Sequence, residues 1–206
     1  MIYFLRIHSL ICSTVALIFI TGNANALKPS ILWITAEDMS PVLGCYGEKN
    51  AVTPIIDQLA KDSIRYKNAF ASAPVCSPSR SCLIQGAPPP SLGTQHMRSG
   101  FPLPASFTGF PALLKKEGYY NTNNVKTDYN SGNYQQIIEK SWHENSADAH
   151  WRKRSKKEMP FFSVFNLMTS HQSRSMVWPY EKFKNEIQSK LPKEQIHNPQ
   201  KITLPP

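Results

Sequence analysis

The amino-acid sequence predicts an α/β protein with a mostly parallel sheet flanked by helices. Two short, continuous apolar runs, at residues 30–35 and 161–168, are typical of strands that are buried on both faces. Between them, apolar residues recur at helical spacing over 54–61 and 110–116. Strands that alternate with short helices in this way indicate a parallel sheet.

The first strand and the first helix have clear local signals. The run Ser-Ile-Leu-Trp-Ile-Thr forms the strand, and a single alanine separates it from Glu37 and Asp38. Thr53 and Pro54 suit the N-cap and the first position of a helix. Apolar residues at helical spacing then predict a helix over 54–61, namely Ile55, Ile56 and Leu59.

The middle of the chain contains further predicted elements separated by loops. Alternating apolar residues predict a strand over 64–70, whereas frequent Pro, Gly and Ser predict a loop over 87–104. A short helix over 110–116 is expected to end at Gly118, because glycine favours the position just after a helix. A strand over 119–125 is expected to follow.

The last third of the chain contains one dominant strand signal. Residues 130–157 are polar and include a basic run at 152–157, which we interpret as a solvated segment rather than a site for a sulfated polymer. The strand over 161–168 is the strongest in the sequence. After residue 177 the sequence is polar and lacks clear periodicity.

Polar clusters follow three of the predicted strands at the point where each strand ends. Glu37 and Asp38 follow the first, Lys126 and Asp128 follow the strand over 119–125, and His171 follows the last. Ligands of open α/β sheets bind outside the carboxyl ends of the strands. The sequence therefore predicts a site at this edge of the sheet.

Composition excludes several classes of protein. The chain has 206 residues, of which 41% are hydrophobic, so it can build a core and is not a disordered tail. Four cysteines are too few for a dense disulfide scaffold. The formal charge of +9 permits anionic partners, but no nucleic-acid-binding motif accompanies it, so we expect no nucleic acid partner.

Residues 1–26 have the order of a secretory signal peptide. Arg6 precedes an apolar run over 10–20, and the sequence Ala-Asn-Ala then ends at Ala26. An uncleaved N-terminal anchor is the alternative. Cleavage would leave residues 27–206, with three cysteines and no segment apolar enough to span a bilayer, so we expect an exported protein.

Two short motifs suggest chemistry. Adjacent carboxylates such as Glu37 and Asp38 at a strand end can bind a hard cation, although a solvated turn is the alternative. Cys76 lies close to the start of a predicted helix, and Arg80 lies about one helical turn further on. A half-cystine or a buried thiol is the alternative for Cys76.

The stretch from Cys76 to Gly86 resembles the signature of the sulfatase family. Cys-Ser-Pro-Ser-Arg matches Cys-x-Pro-x-Arg, whose cysteine is converted to the catalytic residue Cα-formylglycine in that family. The flanking residues also fit, except for Gln85, where the family usually has threonine. The resemblance implies an alkaline-phosphatase-like fold. It is closest to an arylsulfatase and heparan N-sulfatase-like branch of secreted bacterial enzymes.

The resemblance extends over about residues 29 to 176. Residues 31–38 resemble the family's first strand with its metal-binding acidic pair, although Glu37 stands where an aspartate is more common. Lys126 resembles the lysine of a Lys-x-His motif that contacts sulfate, and Asp128 takes the place of the histidine. Further candidate residues are His171, as a second active-site histidine, and His96 and Arg98, for binding an anionic substrate.

The implied chemistry is hydrolysis of a sulfate ester or sulfamate by hydrated formylglycine at position 76. The resemblance implies Ca²⁺, or else Mg²⁺, held partly by Glu37, Asp38 and residue 76, with Arg80 and Lys126 adding positive charge. The expected substrates are sulfated carbohydrates or aryl sulfates. The expected partner is a formylglycine-generating or anaerobic sulfatase-maturating enzyme, and the expected location is the bacterial periplasm or exterior.

The family's other metal ligands lie downstream of the matched region, so residues 27–206 are expected to be an incomplete catalytic domain. We expect such a chain to hold a cation weakly, to turn over poorly and to have open strand edges. Two alternatives remain from the sequence. One is a non-catalytic remnant that at most binds anionic glycans, and the other is a phosphate- or phosphonate-ester hydrolase of the same superfamily.

Overall fold

A computed structural model describes residues 28–175, 177–186 and 188–190. The proposed signal peptide over residues 1–26 lies outside the described residues. In the described part the strands are β1 (Ile31–Ala36), β2 (Tyr120–Asn124), β3 (Glu144–Asn145) and β4 (Phe161–Leu167). The helices are α1 (Pro54–Lys61), α2 (Cys76–Gln85), α3 (Pro89–Leu92), α4 (Phe110–Lys116), α5 (Tyr134–Ser141), α6 (Gln172–Ser175) and α7 (Tyr180–Glu186).

The four strands form one parallel sheet in the order β1-β4-β2-β3. Ile31 of β1 is aligned with Phe162 of β4, and Tyr120 of β2 is aligned with Phe161. Because all strands run in the same direction, their carboxyl ends lie along one edge of the sheet. The α/β class with a parallel sheet flanked by helices is therefore confirmed.

The core lies on one face of the sheet, beneath α2, α4 and α5. The Phe162 ring, 1% exposed, has its centroid 5.3 Å from that of Phe110, 5.7 Å from that of Trp142 and 6.0 Å from that of Trp33. Ile84 of α2 belongs to the same buried cluster. This packing fixes α2, and with it Cys76, against the sheet.

The opposite face is only partly covered by the described residues. The rings of Trp151 and Phe161 stack with centroids 5.4 Å apart, which covers the start of β4. On β1, however, Leu32 and Ile34 point away from the core and are 49% and 57% exposed. The edge strand β1 pairs only with β4 among the described strands.

Most of the strongly patterned elements were predicted correctly. The helix over 54–61 is α1, with Thr53 at its N-cap and Pro54 at its first position. The strands predicted at 30–35, 119–125 and 161–168 are β1, β2 and β4 within one or two residues at each end.

Some predictions were wrong or incomplete. The strand over 64–70 does not form, and Ile64 and Phe70 are 82% and 89% exposed, because their alternation has no partner strand to pair with. The polar stretch 130–157 contains α5, and the loop over 87–104 contains the short helix α3. The helix α7 also forms after residue 177, where the sequence showed no periodicity.

Two further properties are the length of the helices and the state of the cysteines. Among the described residues, none of the helices is both long and apolar enough to cross a bilayer. Cys45, Cys76 and Cys82 are all free thiols. Cys76 is therefore not a half-cystine in this structure.

Candidate active site

The carboxyl ends of β1 and β4 bring the acidic pair next to His171. The backbone amide of Glu37 donates to the Leu167 carbonyl at 3.1 Å, which extends the pairing of β1 with β4 by one residue. One ligand atom from each of Glu37, Asp38 and His171 lies within 4.8 Å of the other two. The His171 Nε2 atom is 3.9 Å from an Asp38 carboxylate oxygen.

Cys76 is the first residue of α2, at the same edge of the sheet. Its N-cap, Val75, has an extended backbone and offers no side-chain cap. Arg80 follows one turn later, as the spacing predicted, and its side chain is 11% exposed. The helix therefore presents both signature residues to the strand ends.

Arg80 connects α2 to the other two parts of the site. Its Nη1 donates to the Glu37 carboxylate at 2.9 Å, and its Nε donates to the Thr127 carbonyl at 2.8 Å. Its Nη2 donates to the Lys126 carbonyl. The Lys126 ammonium in turn lies 2.6 Å from the second carboxylate oxygen of Glu37. Arg80 thus directs three of its donors to protein atoms rather than to a substrate position.

The thiol of Cys76 is not activated in this arrangement. Burial raises the pKa of the Cys76 thiol, and a hydrogen bond with the Asp128 carboxylate raises it further, while the nearby Lys126 charge partly opposes both. A thiolate nucleophile needs the opposite shift. The surroundings therefore favour the protonated thiol of Cys76 over a thiolate.

Two open clefts flank the start of α2, and they differ in charge. The first, of about 460 Å³, has Cys76 in its wall, and its charged residues are Glu37, Asp38 and Arg80. Two carboxylates and one guanidinium give this cleft a net negative charge, which suits a cation. The second, of about 660 Å³, contains Arg98, Lys126 and Asp128, and its excess of positive charge suits an anion.

Asn130 is a residue of the site that the sequence analysis missed. Its side-chain oxygen accepts from the Ser77 hydroxyl at 2.7 Å and from the Ser99 amide at 2.8 Å. Its side-chain amide donates to the carbonyls of Thr94 and His96. Asn130 is 6% exposed and therefore fixes the 94–99 loop to the start of α2. A single asparagine in a polar stretch gave no sequence signal for this role.

Unusual backbone conformations occur at the same residues. Asp38, Arg98 and Asp128 have φ angles of 51°, 58° and 51°, and Asn130 has 28°. Non-glycine residues in this left-handed region are uncommon and cluster at functional sites, although Asp and Asn tolerate it best. Three of these four residues were candidates from the sequence alone.

The remaining candidates differ in placement. Arg98 lies in the wall of the second cleft, whereas the side chain of His96 is exposed and belongs to neither cleft. The structure therefore does not bring His96 to residue 76. The basic run at 152–157 packs at the start of β4, where Arg154 lies 5.3 Å above the Phe161 ring, at the opposite end of that strand from His171.

The acidic pair fits a hard divalent cation in chemistry and spacing. Glu37 and Asp38 provide carboxylate oxygens, which Ca²⁺ and Mg²⁺ prefer over the imidazole of His171. Both oxygens of Glu37 already bond to cationic side chains, but each carboxylate oxygen has a second lone pair. Asp38 is the more exposed of the two carboxylates, with 37% of its side chain accessible.

Comparison with known proteins places the chain in a family. The sulfatase family model matches residues 29–200. An ulvan-active sulfatase of Formosa agariphila is 38% identical over 163 residues, which cover 71% of this chain and 26% of that protein. Human iduronate 2-sulfatase is 38% identical over 99 residues, which cover 48% of this chain and 18% of that protein. The chain thus spans about a quarter or less of these relatives.

Solved structures agree on the fold. A "2-O GAG sulfatase" superposes with a TM-score of 0.58 at 19% identity, covering 73% of this chain and 37% of that one. A protein solved with its substrate D-glucosamine-2-N,6-O-disulfate gives a TM-score of 0.57 at 17% identity, covering 74% and 39%. The sheet corresponds to the alkaline-phosphatase-like fold of the sulfatases, and the chain belongs to the sulfatase family.

Proposed function

We propose that this protein takes part in the hydrolysis of sulfate esters on carbohydrates, with residue 76 as the nucleophile. The observation that supports this proposal is the meeting of the strand ends with the start of α2. Glu37 and Asp38 share a cleft with Cys76, Lys126 and Asp128 lie close enough to influence its thiol, and His171 lies beside the acidic pair. Their charges form one cleft suited to a cation and another suited to an anion.

The proposed nucleophile is formylglycine, formed from Cys76 by a maturating enzyme. The Cys-Ser-Pro-Ser-Arg motif supports this modification, and the raised pKa of the Cys76 thiol argues against a thiolate enzyme. Once formed, the hydrated aldehyde supplies a hydroxyl group for attack on sulfur. Asp128, whose carboxylate acts on the Cys76 thiol, would orient the side chain of residue 76.

The other residues have separate proposed roles. Lys126 and Arg98 would attract the anionic sulfate group toward the start of α2, because they provide the excess of positive charge in the adjoining second cleft. Arg80 keeps Lys126 and Thr127 close to α2 through its hydrogen bonds to their carbonyls. His171 contacts the substrate and moves a proton at its leaving group.

The proposed cofactor is a divalent cation, Ca²⁺ or alternatively Mg²⁺. Asp38, Glu37 and residue 76 would hold it, and it would neutralise charge on the sulfate oxygens. Ca²⁺ takes six to eight oxygen ligands, and the described acidic pair supplies only part of such a set. We therefore expect weak binding that needs millimolar Ca²⁺.

The names of the relatives support a sulfated carbohydrate as the substrate class. One relative is described as active on ulvan, and one structural neighbour was solved with a disulfated glucosamine. We propose export to the periplasm or the exterior, since residues 1–26 have the pattern of a signal peptide.

Sulfate release tests this proposal directly. The protein is produced together with a formylglycine-generating enzyme, supplied with millimolar Ca²⁺ and incubated with sulfated oligosaccharides from ulvan and with glucosamine sulfates. Released sulfate is measured by ion chromatography, with Cys76→Ala as the control. We expect slow release that requires Cys76. Equal release by the two proteins would contradict the proposal.

A further inference from the structure

We propose that Glu37 is a positioning residue, which holds the Lys126 ammonium and, through Arg80, the backbone of residues 126–127 beside Cys76. The family resemblance implies for Glu37 only a place at the metal. This additional role matters for activity only if the proposed function is correct. It does not depend on a bound cation, because every contact that supports it joins two groups within the protein.

The Glu37 carboxylate contacts a different cationic side chain with each of its oxygens. One oxygen lies 2.9 Å from Arg80 Nη1, and the other lies 2.6 Å from Lys126 Nζ. The side chains of the three residues are between 7% and 13% exposed. Charge-assisted hydrogen bonds of this length in a poorly hydrated setting restrict a lysine, which otherwise samples many rotamers.

The contacts among Glu37, Arg80 and Lys126 form a closed loop. Arg80 bonds to Glu37 and also to the carbonyls of Lys126 and Thr127, while the Lys126 side chain returns to Glu37. The Glu37 backbone is itself fixed to the end of β4, since its amide donates to Leu167 and its carbonyl accepts from Ser170. The strand edge, α2 and the 126–128 loop are therefore held together by one carboxylate.

The positive charges of Arg80 and Lys126 are partly balanced by Glu37. Arg80 and Lys126 are like charges that both approach the same region, and such a pair needs an anion between them. Glu37 supplies that anion. The two side-chain methylene groups of glutamate let the Glu37 carboxylate reach both Arg80 on α2 and Lys126.

Chemical labelling of lysines tests the role without relying on catalysis. The purified protein, kept in a chelator and carrying Cys76 as the thiol, is acetylated briefly. Mass spectrometry then gives the labelling rate of Lys126 relative to the exposed Lys157 in the same sample. The variants are Glu37→Gln, which removes the charge but keeps the shape, and Asp38→Asn as the matched control.

We expect wild-type Lys126 to react at least about fivefold more slowly than Lys157, the factor given by an ion pair worth roughly one kcal/mol. Glu37→Gln should raise the Lys126 rate about fivefold without changing the Lys157 rate, whereas Asp38→Asn should leave both rates unchanged. A general loss of structure would instead also raise the rate of Lys115, whose ammonium donates to the carbonyls of Glu139 and Trp142.

Three results would overturn the inference. They are equal rates for Lys126 and Lys157 in the wild type, an unchanged slow rate for Lys126 in Glu37→Gln, and an equal acceleration in Asp38→Asn. If Glu37→Gln does not fold, Glu37→Asp, which keeps the charge but shortens the side chain, replaces it, and an unchanged slow rate for Lys126 in that variant would equally overturn the inference. Because the assay uses neither a cation nor formylglycine, a failure of the proposed hydrolysis would not affect it.

Discussion

The substitution Arg80→Lys examines how far the site depends on the shape of the guanidinium rather than on its charge. Arg80 directs three donors to Glu37, Lys126 and Thr127, two of them to backbone carbonyls. A lysine keeps the charge and can replace the bond to Glu37, but it cannot reach both carbonyls as well. Each lost hydrogen bond in a buried setting costs about 1–2 kcal/mol, which gives roughly 2–4 kcal/mol in total.

Thermal unfolding followed by circular dichroism measures this cost. In a protein of this size, 1 kcal/mol shifts Tm by about 2–4 °C, so we expect a fall of roughly 4–16 °C. Arg152→Lys is the control, because Arg152 is exposed and only lies above the Trp151 ring, and it should shift Tm by less than about 2 °C. Equal shifts in the two variants would refute the role of Arg80 as the connection between α2 and the 126–128 loop.

Two other predictions concern stability. Phe162→Ala should lower the free energy of unfolding by about 3–5 kcal/mol, because it removes the ring at the centre of the aromatic core. Ile34→Thr on the uncovered face should change it by no more than about 0.5 kcal/mol. Urea denaturation measures both values, and similar losses would contradict the assignment of the two faces. Burial raises the pKa of Tyr129 to about 12. Because the pKa of Tyr129 is higher in the folded protein than the value of about 10 in the unfolded chain, its protonated phenol contributes to the free energy of unfolding. This contribution is complete below pH 10 and is lost as the pH rises to 12. Tyr129→Phe should therefore show a smaller fall in unfolding free energy over this range, by about 2–3 kcal/mol, and an identical fall in both proteins would count against it.

The elements that the sequence predicted well are those whose pattern is local. β1 and β4 are continuous apolar runs, and α1 has both a start signal and helical spacing. The helix α5 was overlooked although Tyr134, Ile137, Ile138 and Ser141 have the required spacing. Its polar residues obscured this weaker signal, and only Ile137 and Ser141 are buried.

The position of the site was predictable, but its internal contacts were not. Polar residues after strand ends meet at one edge in any parallel sheet, so Glu37, Lys126 and His171 could be grouped from the order of elements alone. The ion pair between Glu37 and Lys126 joins residues 89 positions apart, and no local pattern specifies which cation meets which carboxylate. The four hydrogen bonds of Asn130 depend equally on tertiary structure.

The buried polar strand β2 also depends on contacts that no local sequence pattern specifies. Asn121, Thr122 and Asn123 are fully buried, a poor composition for a central strand by propensity. They are accommodated because their side chains bond to neighbours, as when Asn123 donates to the Lys126 carbonyl at 3.0 Å. That bond also helps to place the 126–128 loop, so the weak strand signal belonged to a part of the fold that supports the site.

The chemical state of residue 76 tests the central claim most directly. The protein is produced with and without a formylglycine-generating enzyme, and the tryptic peptide that ends at Arg80 is analysed by mass spectrometry, with Cys82 in the following peptide as an internal control. The account predicts that residue 76 loses its sulfur and gains an aldehyde or its hydrate only when the enzyme is present, while Cys82 remains a thiol. A thiol at both positions under both conditions would contradict it.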